Sequence, residues 1–104
     1  MAAPVFIVVC ALVNQNKSSY GKRGKTLYCI QDTAAAIQNI LLCAKSLGLG
    51  ACWCGAFNEK NVCKTLHLQK DVRPVAVIPV GCPVSEPEPT WRRPLEDSVT
   101  FIGE

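Results

Sequence analysis

The residues best suited to chemistry in this 104-residue chain stand in one stretch, Gly48 to Phe57, with the sequence Gly-Leu-Gly-Ala-Cys-Trp-Cys-Gly-Ala-Phe. Gly55 has no side chain to keep a ligand away, so the backbone of Cys54 and Gly55 offers the flat, close surface that a planar cofactor needs. A buried strand end has the same residue pattern. Spacing alone therefore leaves both interpretations of Cys54 and Gly55 open.

Two small clusters of basic residues could contact an anionic ligand. One lies between Lys17 and Lys25, and the other is the pair Arg92 and Arg93. Either cluster suits an anionic small ligand, although a solvated surface loop or arm has the same composition. The net charge of +3 is too small for a nucleic-acid surface, which needs a longer basic face. We expect a small-molecule ligand and no nucleic-acid partner.

Cysteine is unusually frequent and stands mostly inside apolar runs. The seven residues are Cys10, Cys29, Cys43, Cys52, Cys54, Cys63 and Cys82. Buried cysteine behaves as a small hydrophobe, and an odd number in a chain that is 49% apolar does not suit a disulfide framework. The composition predicts a reduced protein of the cytoplasm.

A metal site is the other chemistry that cysteine allows. Cys63 and His67 are four residues apart on a predicted helix, so they share a face and could both bind one ion. Cys52 and Cys54 could complete the set, but we expect them to point to opposite faces of their strand. The sequence offers no residue pattern that would place a nucleophile and an acid beside its single histidine as a hydrolytic triad. We predict no metal and no catalytic side chain, with His67 contacting the terminal carbonyls of its helix.

Strands and helices alternate among the elements that position these residues. The continuous apolar run Pro4 to Val13 predicts a strand buried on both faces. It lacks the basic start of a signal peptide and is too short to span a membrane. The polar segment Asn14 to Lys25 predicts a loop. Val72 to Gly81 predicts a second two-sided strand, in which Pro79 indicates an edge or a bulge.

Two helices flank the glycine-rich stretch. Asp32 suits an N-cap, and the helix over 33–47 ends at Gly48 and Gly50. A short strand follows the glycines, and Asn58 caps a second helix to about His67. From about residue 82, prolines among polar residues predict an extended arm. The order of elements predicts a single α+β domain over 1–104, with helices packed on a small sheet.

The helix over 33–47 is apolar on almost every side. Its expected stripe contains Ala36, Ile37, Ile40, Leu41, Ala44 and Leu47. The opposite side carries Ala34, Ala35, Leu42 and Cys43, and the polar residues between them are Gln38, Asn39, Lys45 and Ser46. A helix that is apolar nearly all round is buried nearly all round, and 104 residues are few for that purpose. We therefore predict a partner surface, most simply a second copy of the chain.

A series of short motifs runs through the whole chain in a fixed order. They are Ala3-Pro4-Val5, Tyr20-Gly21 with Gly24, Asp32 with Ala36 and Gln38-Asn39, Leu47 to Phe57, Arg73 to Ala76, Pro79 to Gly81, and Arg92 to Glu96. In this order they resemble the C-terminal half of the nitroreductase family. The Arg-Arg-Ser stretch of that family's N-terminal half has no counterpart here. We therefore expect a truncated product, one piece of a split enzyme, or a fragment.

The resemblance implies an FMN-dependent oxidoreductase that takes a hydride from NAD(P)H and passes electrons to nitroaromatics, quinones or related acceptors. It implies an α+β homodimer with the flavin at the subunit interface and the helix over 33–47 at its centre. The backbone at Cys54 and Gly55 would lie against the flavin ring, and Arg92 or Arg93 would reach the phosphate. Activity would depend on completion by the N-terminal half. The alternatives are a non-catalytic remnant that serves as a dimerising module and, third, a Cys/His metal-binding protein.

Overall fold

A computed structural model describes residues 3–14 and 20–103 of the chain. Its sheet has three antiparallel strands in the order β1-β3-β2. The strands are β1 (Val5–Leu12), β2 (Gly50–Ala51) and β3 (Val72–Gly81). The helices are α1 (Gly21–Arg23), which continues through a π-helical segment (Gly24–Tyr28) into α2 (Cys29–Ser46), then α3 (Glu59–Thr65) and a 3-10 turn (Leu95–Asp97).

The core forms where α2 crosses the middle of the sheet. Ile37 of α2 packs against Ala76 and Ile78 of β3, and all three side chains are almost fully buried. Val9 of β1 and Ile40 of α2 are partly buried around them. The α+β architecture, with helices on a small sheet, is as predicted.

The long helix begins earlier than the sequence pattern indicated. Asp32 is not an N-cap but lies inside a helical run that starts at Gly21. Two contacts explain the extension: the rings of Tyr20 and Tyr28 meet edge to face at 5.4 Å, and Arg23 donates to the Tyr28 hydroxyl at 3.2 Å. Lys22, Arg23 and Lys25 are exposed on this helical run instead of lying in a loop. Residues 15–19 of the predicted loop lie outside the described residues.

The prediction that strand β1 is buried on both faces is wrong. Val5, Phe6 and Ile7 are 53%, 58% and 37% exposed, whereas Ala11 at the other end is 1% exposed. Within the described residues, α2 covers one face of the sheet and α3 contacts β3. The beginning of β1 therefore presents apolar side chains that the described part of the chain leaves exposed.

Pro79 lies neither on an edge strand nor at a bulge, contrary to the prediction, because β3 is the central strand and Pro79 pairs with Phe6. The register shift falls elsewhere, between Val9 and Cys10, opposite Ala76 and Pro74. Proline has no N–H to donate to a neighbouring strand. At Pro79 the missing N–H would face β2, but β2 ends at Ala51, opposite Val80, so no ladder hydrogen bond is lost.

An ion pair joins α3 to β3. The Arg73 guanidinium donates through Nε and Nη2 to the two carboxylate oxygens of Glu59, at 3.1 and 2.9 Å. These hydrogen bonds, more than the charge itself, lower the pKa of the Glu59 carboxyl. Since Glu59 opens α3 just after the glycine-rich stretch, the pair fixes where that stretch ends.

Replacing Glu59 with Gln should lower the free energy of unfolding at neutral pH by less than about 1 kcal/mol, because both side chains are about half exposed. A carboxyl whose folded pKa is depressed stabilises the fold above its unfolded pKa, and this contribution is lost as pH falls through the folded pKa. Urea unfolding at neutral and at strongly acid pH checks this. An equal difference between E59Q and wild type at both pH values would contradict it.

The described residues after Gly81, from Cys82 to Gly103, form an arm that leaves the sheet. Every residue from Cys82 to Gly103 is exposed, and the 3-10 turn in the arm contacts no other described helix or strand. Among the described residues, one side-chain ion pair joins the arm to the body, between Lys45 of α2 and Glu86 at 2.6 Å. No helix in the described residues is long and apolar enough to cross a membrane.

Candidate functional site

The end of α2 sets the direction of the glycine-rich stretch. Gly48 adopts a left-handed φ of +72°, Leu49 donates to the Ala44 carbonyl at 2.9 Å, and Gly48 donates to the Lys45 carbonyl at 3.0 Å. This pair of bonds is a Schellman cap, which a glycine at this position allows. The prediction that glycine ends the helix is therefore confirmed at Gly48.

Gly50 has a different role from the predicted one. It belongs to β2, and a Cβ added there would lie 3.3 Å from the Cβ of Pro83. At the facing position of β3, a Cβ on Gly81 would lie 2.9 Å from Cδ of Pro4. These two glycines let the chain segments around them approach closely. Beside them lies an open, apolar groove of about 570 Å³, which Cys52, Pro79 and Cys82 also line.

The backbone of Cys54 is fixed to the central strand. Its N–H donates to the Val77 carbonyl and its carbonyl accepts from the Val77 N–H, both at 3.0 Å. Between this bridge and β2, Cys52 donates to the Pro79 carbonyl over a longer 3.4 Å, and Pro79 has no N–H to return. The ladder is therefore interrupted at Cys52 and Trp53 and resumes at Cys54.

The thiols of Cys52 and Cys54 are neighbours, so the prediction that they point to opposite faces is wrong. Residues two apart in extended backbone point to the same face. Partial burial raises the pKa of the Cys54 thiol, and the adjacent Cys52 thiol raises it further. Cys52 is exposed and Cys54 is half-buried.

Gly55 lies at the exposed edge of the bridge. A Cβ built on it would meet one atom within 4 Å, the indole nitrogen of Trp53 at 3.9 Å, and its φ is outside the left-handed region. The surface over the Cys54–Gly55 peptide is therefore open, with the Trp53 ring at its side. Asn58 follows directly, and its side chain accepts from the N–H of Asn61 at 3.0 Å to cap α3, as predicted.

Arg92 and Arg93 lie far along the arm and are exposed. Arg92 donates to the hydroxyl of Thr90 at 2.6 Å and to the carbonyl of Trp91 at 3.2 Å, both within the arm. No hydrogen bond in the described residues joins either arginine to the Cys54–Gly55 surface. The structure thus places the two halves of the predicted site on separate segments without bringing them together.

His67 and Cys63 do not lie on one face of a helix, as the metal-site alternative requires, because α3 ends at Thr65, before His67. His67 adopts a left-handed φ of 52° at the end of α3, and its backbone N–H donates to the Lys64 carbonyl at 3.3 Å. Cys63 lies near Cys10 on β1, where it adds to the effect of burial in raising the pKa of Cys10. Within residues 3–14 and 20–103, no three Cys, His, Asp or Glu side chains are grouped closely enough to hold a metal.

Two contacts that shape the site gave no signal in the sequence. Val77 was not identified as the partner of Cys54, because pairing across a sheet depends on strand order. The pair of Lys45 and Glu86, which directs the start of the arm along α2, joins residues 41 positions apart. Opposite charges at that separation do not indicate contact unless the turn between them is known.

Comparison with known proteins identifies the family. The profile described as "Nitroreductase family" matches residues 1–82, which include every strand and helix up to β3. The chain belongs to the nitroreductase family.

Named relatives of this nitroreductase-family chain agree. It is 36% identical over 89 residues to a protein of Methanothermobacter thermautotrophicus provisionally named NADH dehydrogenase/NAD(P)H nitroreductase, covering 82% of this chain and 43% of that protein. It is 34% identical over 101 residues to the oxygen-insensitive NADPH nitroreductase of Salmonella typhimurium, covering 90% of this chain and 42% of the enzyme. The chain thus spans less than half the length of these relatives.

A solved structure agrees with the fold. A nitroreductase family protein of Streptococcus pneumoniae superposes with a TM-score of 0.84 over 95% of this chain and 64% of that one, at 19% sequence identity. At this identity the likeness concerns the fold alone. The predicted family and fold class are both confirmed.

Proposed function

We propose that this chain forms one side of the FMN site in a cytoplasmic, homodimeric oxidoreductase. The enzyme would take electrons from NAD(P)H and deliver them through flavin to nitroaromatic, quinone or similar small-molecule acceptors. Family membership supports the oxidoreductase class, and the names of two relatives include NADPH or NAD(P)H. The single observation that carries the proposal for this chain is the open peptide surface at Cys54 and Gly55.

That surface fits a flat ring. The Cys54–Val77 bridge holds the peptide in place with two hydrogen bonds, and Gly55 leaves the space above it free. The Trp53 indole, 41% exposed, limits the surface on one side. A rigid backbone with an open face meets the requirement for positioning a cofactor without a reorganisation cost.

The chain's own groups would bind and orient the cofactor. Bound FMN would supply the redox chemistry, accepting a hydride and donating electrons, while the protein supplies binding and polarity. Fixed amide dipoles beside the ring stabilise negative charge on it. No acid or base with a shifted pKa is needed for this role, which is consistent with the predicted absence of a catalytic side chain.

Arg92 and Arg93 are the proposed phosphate ligands. Both are exposed on the arm, which an ion pair between Glu86 and Lys45 joins to the body. Their guanidinium groups are therefore accessible to the phosphate of a bound cofactor. Charge-assisted hydrogen bonds from an arginine fork suit this ligand.

Replacing both Arg92 and Arg93 with Ala should weaken FMN binding by at least about tenfold, since one hydrogen bond to a charged group contributes about 1.5–3 kcal/mol. Quenching of FMN fluorescence during titration measures the affinity. The double variant K22A/K25A is the matched control, because it removes the same charge from the other basic cluster. Unchanged affinity in R92A/R93A would refute the phosphate assignment.

The homodimer proposal rests on the outer side of α2. Ile37 and Ala44 face the sheet and are buried, whereas Leu42 is 60% exposed. On this side Gln38 and Ser46 are exposed together with Leu42 and its apolar neighbours. A second copy of α2 packed on this side would bury the apolar residues that the chain leaves in contact with water.

Anaerobic reduction tests the proposed reaction. The purified chain is loaded with FMN, freed of unbound flavin, and mixed with NADH or NADPH. We expect the visible flavin band to bleach and to return when a quinone or nitroaromatic compound is added. A retained flavin that neither nicotinamide reduces would contradict the proposed electron donor.

One observation favours the second candidate, a dimerising module without flavin. The arginine pair and the Gly55 surface are not joined by any hydrogen bond in the described chain, and the chain spans less than half the length of its curated relatives. In that case the outer side of α2 would be the functional surface. A colourless dimer after incubation with FMN would support this candidate.

A further inference from the structure

Cys52 and Cys54 form a pair of adjacent thiols that the proposed flavin chemistry does not use. They lie on the same face of an extended segment, with Cys52 exposed and Cys54 half-buried. The proposed cofactor site needs the backbone of Cys54, not its sulfur. The two sulfur atoms therefore constitute a second reactive feature, and it does not rest on flavin binding.

The local backbone is suited to closing a disulfide between them. Residues two apart in a strand have Cα atoms about 6.7 Å apart, at the upper limit of the spacing of about 4.4–6.8 Å that disulfides span. A small contraction is therefore enough. Cys52 and Trp53 are free to make it, because Pro79 has no N–H to bond to this segment. Within the described chain, the 3.4 Å bond from Cys52 to Pro79 is the only backbone hydrogen bond that either residue donates.

We propose that Cys52 and Cys54 are a dithiol modification site, which exchange with a low-molecular-weight disulfide such as oxidised glutathione converts to an intramolecular disulfide. First, the Cys52 thiolate attacks one sulfur of oxidised glutathione, forming a mixed disulfide and releasing one glutathione thiolate. The Cys54 thiolate then attacks the Cys52 sulfur and releases the second. Two protein thiols are oxidised, one glutathione disulfide is reduced to two thiols, and the two protein protons pass to solvent or the released thiolates.

The order of attack follows from exposure and acidity. Cys52 is the exposed member and meets a dissolved disulfide first. The raised pKa of Cys54 leaves less of it as thiolate, so it suits the second, intramolecular step, where a high local concentration compensates. A disulfide that requires backbone contraction is strained and is reduced easily. The modification should therefore be reversible.

Trypsin makes the product simple to detect. Cleavage after Lys45 and Lys60 places Cys52 and Cys54 together in one peptide that contains no other cysteine. The reduced, purified chain is treated with oxidised glutathione, quenched with iodoacetamide, digested and weighed by mass spectrometry. We expect this peptide to lose two hydrogen atoms and all alkylation, and to regain both alkylation sites after treatment with excess reduced glutathione.

Matched variants separate the proposal from general thiol oxidation. C54S should stop at a stable glutathione adduct on Cys52, whereas C82S, which removes another exposed thiol, should still form the internal disulfide. Far-ultraviolet circular dichroism confirms that each variant is folded. A persistent glutathione adduct on wild-type Cys52, a cross-link from Cys52 to Cys82, or alkylation unchanged by oxidised glutathione would each overturn the proposal. None of these readouts depends on flavin. The dithiol proposal can therefore be tested even if the chain binds no FMN.

Discussion

Replacing Gly55 with Val should abolish flavin retention while leaving the fold intact. The valine side chain would occupy the open space over the Cys54–Gly55 peptide, where the ring is proposed to lie. Overpacking a close contact costs about 1–3 kcal/mol, which corresponds to a loss of affinity of about five- to 150-fold, enough for the flavin to be lost when unbound cofactor is removed. Titration of FMN into the wild type and G55V, followed by flavin fluorescence, measures this loss.

The structure predicts that this substitution leaves the fold of the chain unchanged. A Cβ at position 55 meets only Trp53, at an ordinary 3.9 Å, and φ is not in the left-handed region. Valine should therefore not strain the fold, and it should reduce the freedom of the unfolded chain. A56V is the matched control, since it adds bulk at the neighbouring exposed position. Equal affinity in G55V and wild type would place the ring elsewhere.

Replacing Leu42 with Glu should convert the dimer to a monomer. Leu42 is 60% exposed on the outer side of α2, and burying a leucine side chain contributes about 1.5–3 kcal/mol. A twofold interface uses each residue twice, so the change should cost about 3–6 kcal/mol, or at least a hundredfold in the dimer dissociation constant. Glutamate is a good helix former, so α2 itself should persist.

Sedimentation equilibrium of L42E against wild type checks this result. N61E is the matched control, because it adds the same charge to an exposed position on α3, where an acidic residue near the helix start is tolerated. The wild type and N61E should remain dimeric at concentrations at which L42E is monomeric. A wild type that is itself monomeric, or an L42E variant that remains dimeric, would remove α2 from the interface.

Local sequence signals predicted the elements that local chemistry determines. Gly48 ends α2 because only a residue tolerant of the left-handed region suits that cap. Asn58 begins α3 because its side chain can accept from a free backbone N–H. The apolar run over 72–81 also matches β3 as observed. At Gly48 and Asn58 the decisive contact lies within a few residues of the signal.

The misses were contacts whose partners lie elsewhere in the chain or outside it. Polarity indicated a loop before Asp32, but the Tyr20–Tyr28 contact extends the helix through that segment. Pro79 indicated an edge strand or a bulge, yet it lies in the central strand, opposite the point where β2 has ended. Only the order of the strands shows this. The exposure of Val5 and its neighbours could not be predicted. A continuous apolar run indicates burial, but it does not say whether the same chain or another one buries the residues.

For the site, the sequence identified its residues but not their arrangement. It placed Cys54 and Gly55 between α2 and α3, and the structure adds the hydrogen bonds to Val77 that hold them. The relation of Cys52 to Cys54 was predicted wrongly, because residues two apart in a strand share a face. How Arg92 and Arg93 approach the rest of the site stays a prediction, since the arm carries them away from the sheet.

The central claim is that a flavin ring binds at the seam between two copies of this chain. Sedimentation velocity of the purified chain, incubated with FMN and freed of excess flavin, tests it when followed at the visible flavin band as well as the protein band. We predict that the visible absorbance sediments with a species of twice the mass of one chain. A colourless dimer, a coloured monomer or a colourless monomer would contradict the account.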